Sequence, residues 1–360
     1  MKIFHLITNF SELGGAESML IRLLNQDLNS EIIVISLMGA SSNLIDRLPS
    51  NVRVIALNVK TAAGMLVAVL KLRSIIPSYS NLYCWMYHAN VVGSLLKCAH
   101  LGRLNLIWGV RHSLDDFEGE SFSTRLAIRL GGLLKSTPDS VVHCSKRSQK
   151  QHLAFGYNTA LGSHYIPNGY LFEHSEVRTF SSQSIVIGAA GRFHPSKDYL
   201  NLFSALAPIV SSNASLTLKV CGRGMSPDNS DLIGILEQAR FPLNRIDLLG
   251  EVSDMSQFYG IIDLFLLSSK TEGFPNVLAE ASAYGCAVIS TDVGDAKEIV
   301  VDHSWVVPAC SSEKLEQAVM RFLNLSVEDK LNITKQQMNH VRNNYSIDKV
   351  AQSYNRLLRG

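Results

Sequence analysis

Short apolar runs alternate with amphipathic segments along this chain, and the alternation stops once and begins again. Residues 3–8, 32–37, 52–57, 82–87, 106–110, 141–144 and 164–166 read as strands, with helical segments such as 16–25, 63–76 and 123–134 between them. Short uninterrupted apolar runs predict strands buried on both faces, and helices between them predict parallel pairing through crossover connections. The pattern stops at Ile166-Pro167-Asn168-Gly169, and a polar run over 173–184 has little apolar periodicity. A second series then follows at 185–191, 216–221, 246–249, 264–267, 287–291 and 305–307. The chain therefore predicts an α/β protein of two Rossmann-like, doubly wound domains, 1–172 and 185–340, joined by a linker over 173–184 and closed by a segment over 341–360. In that last segment a helix over 346–358 sets Ile347, Val350, Tyr354 and Leu357 on one stripe. Ligands of doubly wound sheets lie beyond the C-terminal ends of the strands, so the loops there hold the candidate functional residues.

Composition narrows the function classes. A hydrophobic fraction of 46% and a charged fraction of 18% suit globular domains with sizeable cores. The net charge of +2 hides an asymmetry, with 17 Lys+Arg against 12 Asp+Glu in residues 1–180 and 16 against 19 in the remainder. A basic N-half suits an anionic lipid surface or a phosphorylated acceptor, or is simply a solvated face. Arg103, Arg111, Arg125, Arg129, Lys135, Lys146, Arg147 and Lys150 concentrate that charge among Leu and Ile, as a face resting on anionic lipid requires. No nucleic-acid partner is expected. The six cysteines form no Cys-x-x-Cys pair and no cluster with zinc spacing, so no structural metal is expected and a reduced, cytoplasmic compartment is. The first apolar run contains His5 and meets Asn9 and Glu12, which suits a strand better than a signal peptide, and the run 62–70 is about half a membrane span.

Five strand ends carry residues that suggest chemistry. After 264–267 the chain passes Glu272, Gly273, Phe274 and Pro275 into a helix containing Glu280, with Pro275 expected at its first position. Free N–H groups at such a helix start favour an anion. Taken singly, each acid reads equally well as a helix-terminal or surface charge. After the first strand, Gly14-Gly15-Ala16-Glu17 opens a helix where a ligand could approach the backbone, or merely makes a tight turn. It is not Gly-x-Gly-x-x-Gly, so nothing favours a nicotinamide cofactor. After 185–191, Arg192 and Lys197 share one loop. A phosphate-bearing ligand bound at such a loop needs its charge neutralised by Mg²⁺ or by fixed cations. The chain has no Asp-x-Asp to hold a metal, so Arg192 as a forked donor and Lys197 as a mobile charge fit the second option. After 106–110 come Arg111, His112 and Ser113, and after 82–87 comes His88. A histidine at such an end can polarise a bound ligand or accept a proton, the role expected of His112 unless it is a core or surface residue, while His88 and Arg111 are expected on the side where a second substrate, an acceptor, would lie. Asp115, Asp116, Glu118 and Glu120 form an acidic loop just beyond, either solvated or facing the acceptor.

The stretch Glu272-Gly-Phe-Pro-Asn-Val-Leu-Ala-Glu280 resembles the donor-site signature of retaining glycosyltransferases of the GT-B fold, family 4. The match continues through 281–285, the next strand, Asp292-Val293-Gly294-Asp295 and Glu298. The resemblance implies two Rossmann-like domains facing across a cleft, with the last helix crossing back to the N-domain. It implies transfer of a sugar from a nucleotide diphosphate to an acceptor hydroxyl, with retention at the anomeric carbon and without metal or cofactor. Carried onto this sequence, Glu280 takes the ribose hydroxyls. Glu272 and the turn of Gly273, Phe274, Pro275 and Asn276 hold sugar and phosphate, and Arg192 and Lys197 hold the diphosphate. Gly14 and Gly15 meet phosphate or acceptor, and His112 lies near the sugar. Gly222, Gly224 and the Gly250-Glu251-Val252 turn shape the base slot, while Asn168-Gly169 reads as a hinge turn. Two positions depart from the pattern: Asp198 stands where a Gly usually follows the Lys, and Ser113 where an Asp usually follows the His. The motif looks most like members that build bacterial O-antigen, capsule or exopolysaccharide, which implies a UDP-sugar donor, a lipid-linked or saccharide acceptor, and a peripheral position on the inner face of the cytoplasmic membrane. A sugar-nucleotide epimerase on the same fold, or a non-catalytic nucleotide-binding partner of another transferase, are the alternatives.

Overall fold

The computed structural model describes residues 2–28, 30–157, 162–172, 179–180 and 184–359. Most of the expected linker lies outside the described residues, but Phe180 does not: it is buried edge-on against Phe322. The chain divides into two compact units, Met1–Leu171 with Ile347–Gly360, and Phe172–Ser346.

In the first unit β1 (Lys2–Ile7), β2 (Glu31–Ser36), β3 (Val52–Ala56), β4 (Asn81–Trp85), β5 (Asn105–Val110), β6 (Ser140–His143) and β7 (Ser163–Tyr165) form one parallel sheet in the order β3-β2-β1-β4-β5-β6-β7. Its helices are α1 (Gly15–Leu24), α2 (Ser42–Ile45), α3 (Ala62–Ile75), α4 (Tyr87–Ala99), α5 (Phe122–Leu133) and α6 (Lys146–Phe155). Strand side chains alternate between faces, so each apolar run feeds two cores. Leu82, Cys84, Leu106 and Trp108 face one core with residues of α3, α4 and α5. Tyr83, Trp85 and Ile107 face the other with residues of α1. That second core also takes Ile347, Val350, Ala351 and Tyr354 of the last helix, α14 (Ile347–Arg359), the larger aliphatic side chains contributing about 1.5–3 kcal/mol each when fully buried.

The expected closing segment over 341–360 is thus not one helix. It breaks at Tyr345 and Ser346, and residues 341–346 belong to the second unit. Gly169 makes the seat for α14: a side chain there would lie 2.9 Å from the Ile347 Cα, and the Tyr170 carbonyl accepts from the Ile347 N–H. The position needs glycine for close packing, which replaces the hinge reading of Asn168-Gly169.

In the second unit β8 (Ile185–Ala190), β9 (Leu216–Cys221), β10 (Ile246–Leu248), β11 (Leu264–Leu267), β12 (Ala287–Thr291) and β13 (Val306–Val307) pair in the order β10-β9-β8-β11-β12-β13, all parallel. The helices are α7 (Tyr199–Ser212), α8 (Ser230–Gln238), α9 (Met255–Gly260), α10 (Asn276–Ala283), α11 (Ala296–Ile299), α12 (Ser312–Leu323) and α13 (Val327–Asn344). Among the described residues no helix is long and apolar enough to cross a membrane.

Candidate functional site

Both sheets reverse direction at their first strand. In the second unit the chain leaves β8 towards β9 on one side, and leaves β11 towards β12 on the other. The connections diverge there, and the crevice between them is where such sheets take ligands. The loops that flank it are 191–198, after β8, and 268–275, after β11, and these carry the residues singled out from the sequence.

The two loops are sewn together. The Lys270 amide donates to the Ser196 carbonyl and the Ser268 hydroxyl to the Lys197 carbonyl, both at 2.8 Å. Across this seam Lys197 Nζ donates to Glu272 Oε1 at 2.6 Å, and the Ser269 hydroxyl donates to the same oxygen at 2.7 Å. Both charged side chains are largely buried, so the pair feels little screening. The backbone amides of Glu272 and Gly273 donate to no protein group among the described residues. Arg192 is exposed and makes no hydrogen bond or ion pair among them either. Consecutive free amides with a free guanidinium and a lysine on adjoining loops form a site for an anion.

Glycines let the loops approach one another. Gly294 has φ +50°, and a side chain on it would lie 2.9 Å from the Gly273 carbonyl and 3.0 Å from that of Glu272. Gly222 and Gly224 also have positive φ, and a side chain at Gly222 would overlap the Gly191 carbonyl. Asp198, where glycine is usual in the resembled pattern, has φ +52° and ψ +53°. The usual glycine therefore answers to a left-handed backbone, which an aspartate tolerates better than most residues. The Asp198 carboxylate in turn faces Lys270 at 3.6 Å.

Pro275 is not the first helical residue. It caps α10, which begins at Asn276. Glu280 lies on α10, half-buried, and accepts from the Tyr259 hydroxyl at 3.1 Å. Burial, and next the Glu280 charge, push the Tyr259 hydroxyl well above its ordinary range, so it stays a neutral donor. Burial and the same carboxylate push the Cys221 thiol up to about 12, which leaves it no nucleophile. Ser269 and Tyr259 were missed in the sequence reading. Ser269 lies three residues before Glu272 on the same turn and could have been found there; nothing in the sequence ties Tyr259 to Glu280. Val252 lies on the loop after β10, at the other end of the sheet order from β12.

The first unit has its own reversal between β1 and β4. Gly14 caps α1 and Gly15 opens it. A side chain on Gly14 would lie 2.7 Å from a Glu17 carboxylate oxygen, at the movable end of that side chain. Burial holds the Glu17 carboxyl above its ordinary value, against the pull of its own N–H and that of Gly14. Met86, between β4 and α4, takes φ +73° and ψ +166°, a region costly for any side chain. The strand therefore ends at Trp85, earlier than expected, and His88 falls in the first turn of α4. Burial lowers the His88 pKa, opposed by a hydrogen bond with the Ser123 backbone.

Arg111 is turned to structural work. Its guanidinium donates to Asn168 Oδ1 at 2.9 Å and to the Tyr354 hydroxyl, and lies 4.4 Å over the Trp85 ring. It fastens α14 to the sheet. His112 Nε2 meets Glu120 Oε1 at 2.6 Å, and its carbonyl accepts from Ser148. The acidic loop is spent locally: Asp115 on Arg147, Glu118 on Arg125, Glu120 on His112, and Asp116 on the Gly119 amide.

Residues 172–340 match the family model of the glycosyl transferases, group 1. This stretch is similar to a group 1 glycosyl transferase domain. It contains the whole crevice at β8 and β11. Among curated proteins, the chain is 27% identical over 251 residues to the GPI3 subunit of the phosphatidylinositol N-acetylglucosaminyltransferase of Saccharomyces cerevisiae, covering 65% of this chain and 54% of that one. It is 31% identical over 121 residues to the capsular polysaccharide biosynthesis glycosyltransferase CapM of Staphylococcus aureus, covering 34% and 31%. The chain thus spans about half or less of the length of these two relatives. Among solved structures, HepE of Anabaena in complex with UDP-glucose superposes with a TM-score of 0.79 over 99% of both chains at 21% identity. The fold of the chain is that of the GT-B glycosyltransferases.

Proposed function

We propose that this chain transfers a sugar from a nucleoside diphosphate donor, a UDP-sugar, to a hydroxyl of a lipid-linked or saccharide acceptor during assembly of a surface polysaccharide. It acts as a family 4 hexosyltransferase, at the cytoplasmic face of the membrane. The observation that carries this reading is the crevice at β8 and β11, where Lys197 and Arg192 flank the unpaired amides of Glu272 and Gly273. The relatives in capsule biosynthesis support the same reading.

In this reading Arg192 and Lys197 neutralise the charge that develops on the departing diphosphate, so no metal or cofactor is required. Lys197 is held at its post by Glu272 and leans towards the diphosphate when the donor binds. Glu280, steadied by Tyr259, accepts from the two ribose hydroxyls, a geometry suited to a carboxylate. His112, oriented by Glu120, polarises the sugar. Glu272 is committed to Lys197 and Ser269, and Glu280 to Tyr259. Neither carboxylate is left as a nucleophile, so the retention that the resemblance implies proceeds by attack on the face the diphosphate leaves. The departing phosphate takes the acceptor proton.

The test is product analysis with UDP-sugars and a lipid-linked acceptor, in EDTA. An α-linked product from an α-linked donor, with turnover reduced about 10²–10³-fold in Lys197→Ala, is expected. Inverted product or a strict metal requirement would refute the mechanism. Release of an isomerised UDP-sugar without acceptor would make the chain an epimerase.

A further inference from the structure

Helix α5 has an outward face that its own unit does not cover. Phe122, Leu126, Leu130 and Leu133 recur at helical spacing and fall within an arc of about 80°. Phe122 and Leu133 are 74% and 80% exposed. The opposite face is small and buried: Ala127, Ile128 and Gly131 press α5 onto the unit, and the Tyr157 hydroxyl donates to the Ile128 carbonyl at 2.9 Å. The apolar surface continues onto α6, where Leu153 and Phe155 are exposed and the Phe155 ring lies 5.7 Å from that of Phe117. A contiguous apolar strip on a folded unit marks a surface with a partner.

The charge beside the strip says which partner. Helices α5 and α6 together hold five Lys and Arg and no Asp or Glu. Arg125 and Arg147 are spent on Glu118 and Asp115. Arg129, which lies over the Phe117 ring, and Lys135 and Lys150 make no ion pair among the described residues. Of the basic face read from the sequence, Arg111 is therefore absent and Arg129, Lys135 and Lys150 remain. Leucine and phenylalanine flanked by long basic side chains, with no acid on the helix, match the interface of an anionic bilayer, the apolar tips entering the acyl boundary and the cations meeting headgroups.

We propose that the α5 strip docks the first unit on an anionic phospholipid membrane. The start of α5 also lies near the β1/β4 crevice, because α5 packs on α4, whose first turn carries His88. A bilayer lying on the strip would hold a lipid-linked acceptor beside that crevice. The docking itself rests on no step of the transfer reaction.

The experiment is flotation of the full chain with vesicles of phosphatidylcholine alone, and with about one-third phosphatidylglycerol. The wild-type chain floats with the anionic vesicles at low salt and much less with neutral ones. Leu126→Ser/Leu130→Ser, two outward positions, lowers the bound fraction about tenfold or more with an unchanged melting temperature and circular dichroism. Arg129→Glu/Lys135→Glu does the same and removes the salt dependence. Unchanged flotation in the leucine variant overturns the proposal. So does a lipid-free dimer in light scattering that the leucine variant dissociates, since the strip's partner is then a second copy. A chain that floats but transfers no sugar refutes the proposed activity alone. One that transfers sugar without floating refutes the docking alone.

Discussion

Acid should unfold the first unit well before it unfolds the second, because three histidines are buried in it uncharged. His143 is fully buried, with neither ring nitrogen hydrogen-bonded among the described residues, and burial followed by the charges of His152 and His164 lowers its pKa to about 3. Burial likewise lowers His152, which lies between the Tyr87 hydroxyl and the Ser148 carbonyl, to about 4. It lowers His5, which accepts from the Trp85 indole, to about 4 against the opposing charge of Asp27. Unfolded, each titrates near 6.5. Between those values the unfolded chain binds more protons than the folded one, so stability is full above pH 6.5 and is lost as pH falls towards 4. From pH 7.5 to 5.5 the loss is about 1.3 kcal/mol for each group and about 4 kcal/mol for the three, a large part of the roughly 5–15 kcal/mol that holds a domain together. His88 adds in the same direction, while Glu17, raised by burial, works against it.

Tryptophan fluorescence reads this out. Trp85 and Trp108 lie in the first unit and Trp305 in the second, so Trp305→Phe isolates the first. Urea unfolding of that variant at pH 7.5 and 5.5 should give the full difference. His143→Leu should remove about one third of it and cost little at pH 7.5, since no hydrogen bond is lost. A stability independent of pH over this range, or a full pH dependence retained by His143→Leu, would refute the reasoning.

Other consequences are sharper locally. Gly294→Ala places a side chain at φ +50° and against two carbonyls, and should destabilise the second unit by about 1–3 kcal/mol in thermal unfolding; an unchanged melting temperature would show that the loops do not meet as described. Arg192→Ala should leave stability within about 0.5 kcal/mol yet cut sugar transfer by about 10²–10³-fold, because the side chain is exposed and has no protein partner to lose. Tyr354→Phe removes an acceptor from the Arg111 guanidinium and should cost about 1–3 kcal/mol, seen as faster amide exchange across α14.

The strands and their parallel order were legible because a strand buried on both faces must be apolar throughout, and all thirteen fall on expected runs or within a residue or two of them. What could not be read were contacts between residues far apart in sequence. Arg111 looked like a strand-end ligand because nothing near it announces Tyr354, its partner across 243 positions. The Lys197–Glu272 pair spans 75 positions, so both residues were picked out but not their union. Met86 ends β4 with a backbone that no propensity favours, and the closing segment over 341–360 is divided at Tyr345, whose ring packs edge-on against Phe274 in the second unit. His143 carried no signal at all, since a histidine inside an apolar run looks the same whether it binds, switches or is merely buried.

The central claim is that the crevice at β8 and β11 holds a nucleoside diphosphate, and thermal shift with UDP, GDP and ADP and their sugars tests it most directly. The account predicts a rise in melting temperature with uridine nucleotides above the others, the same rise in EDTA, and a much smaller one in Glu280→Ala, which loses the ribose contacts. No shift with any nucleotide, or a shift that Glu280→Ala leaves intact, would contradict it.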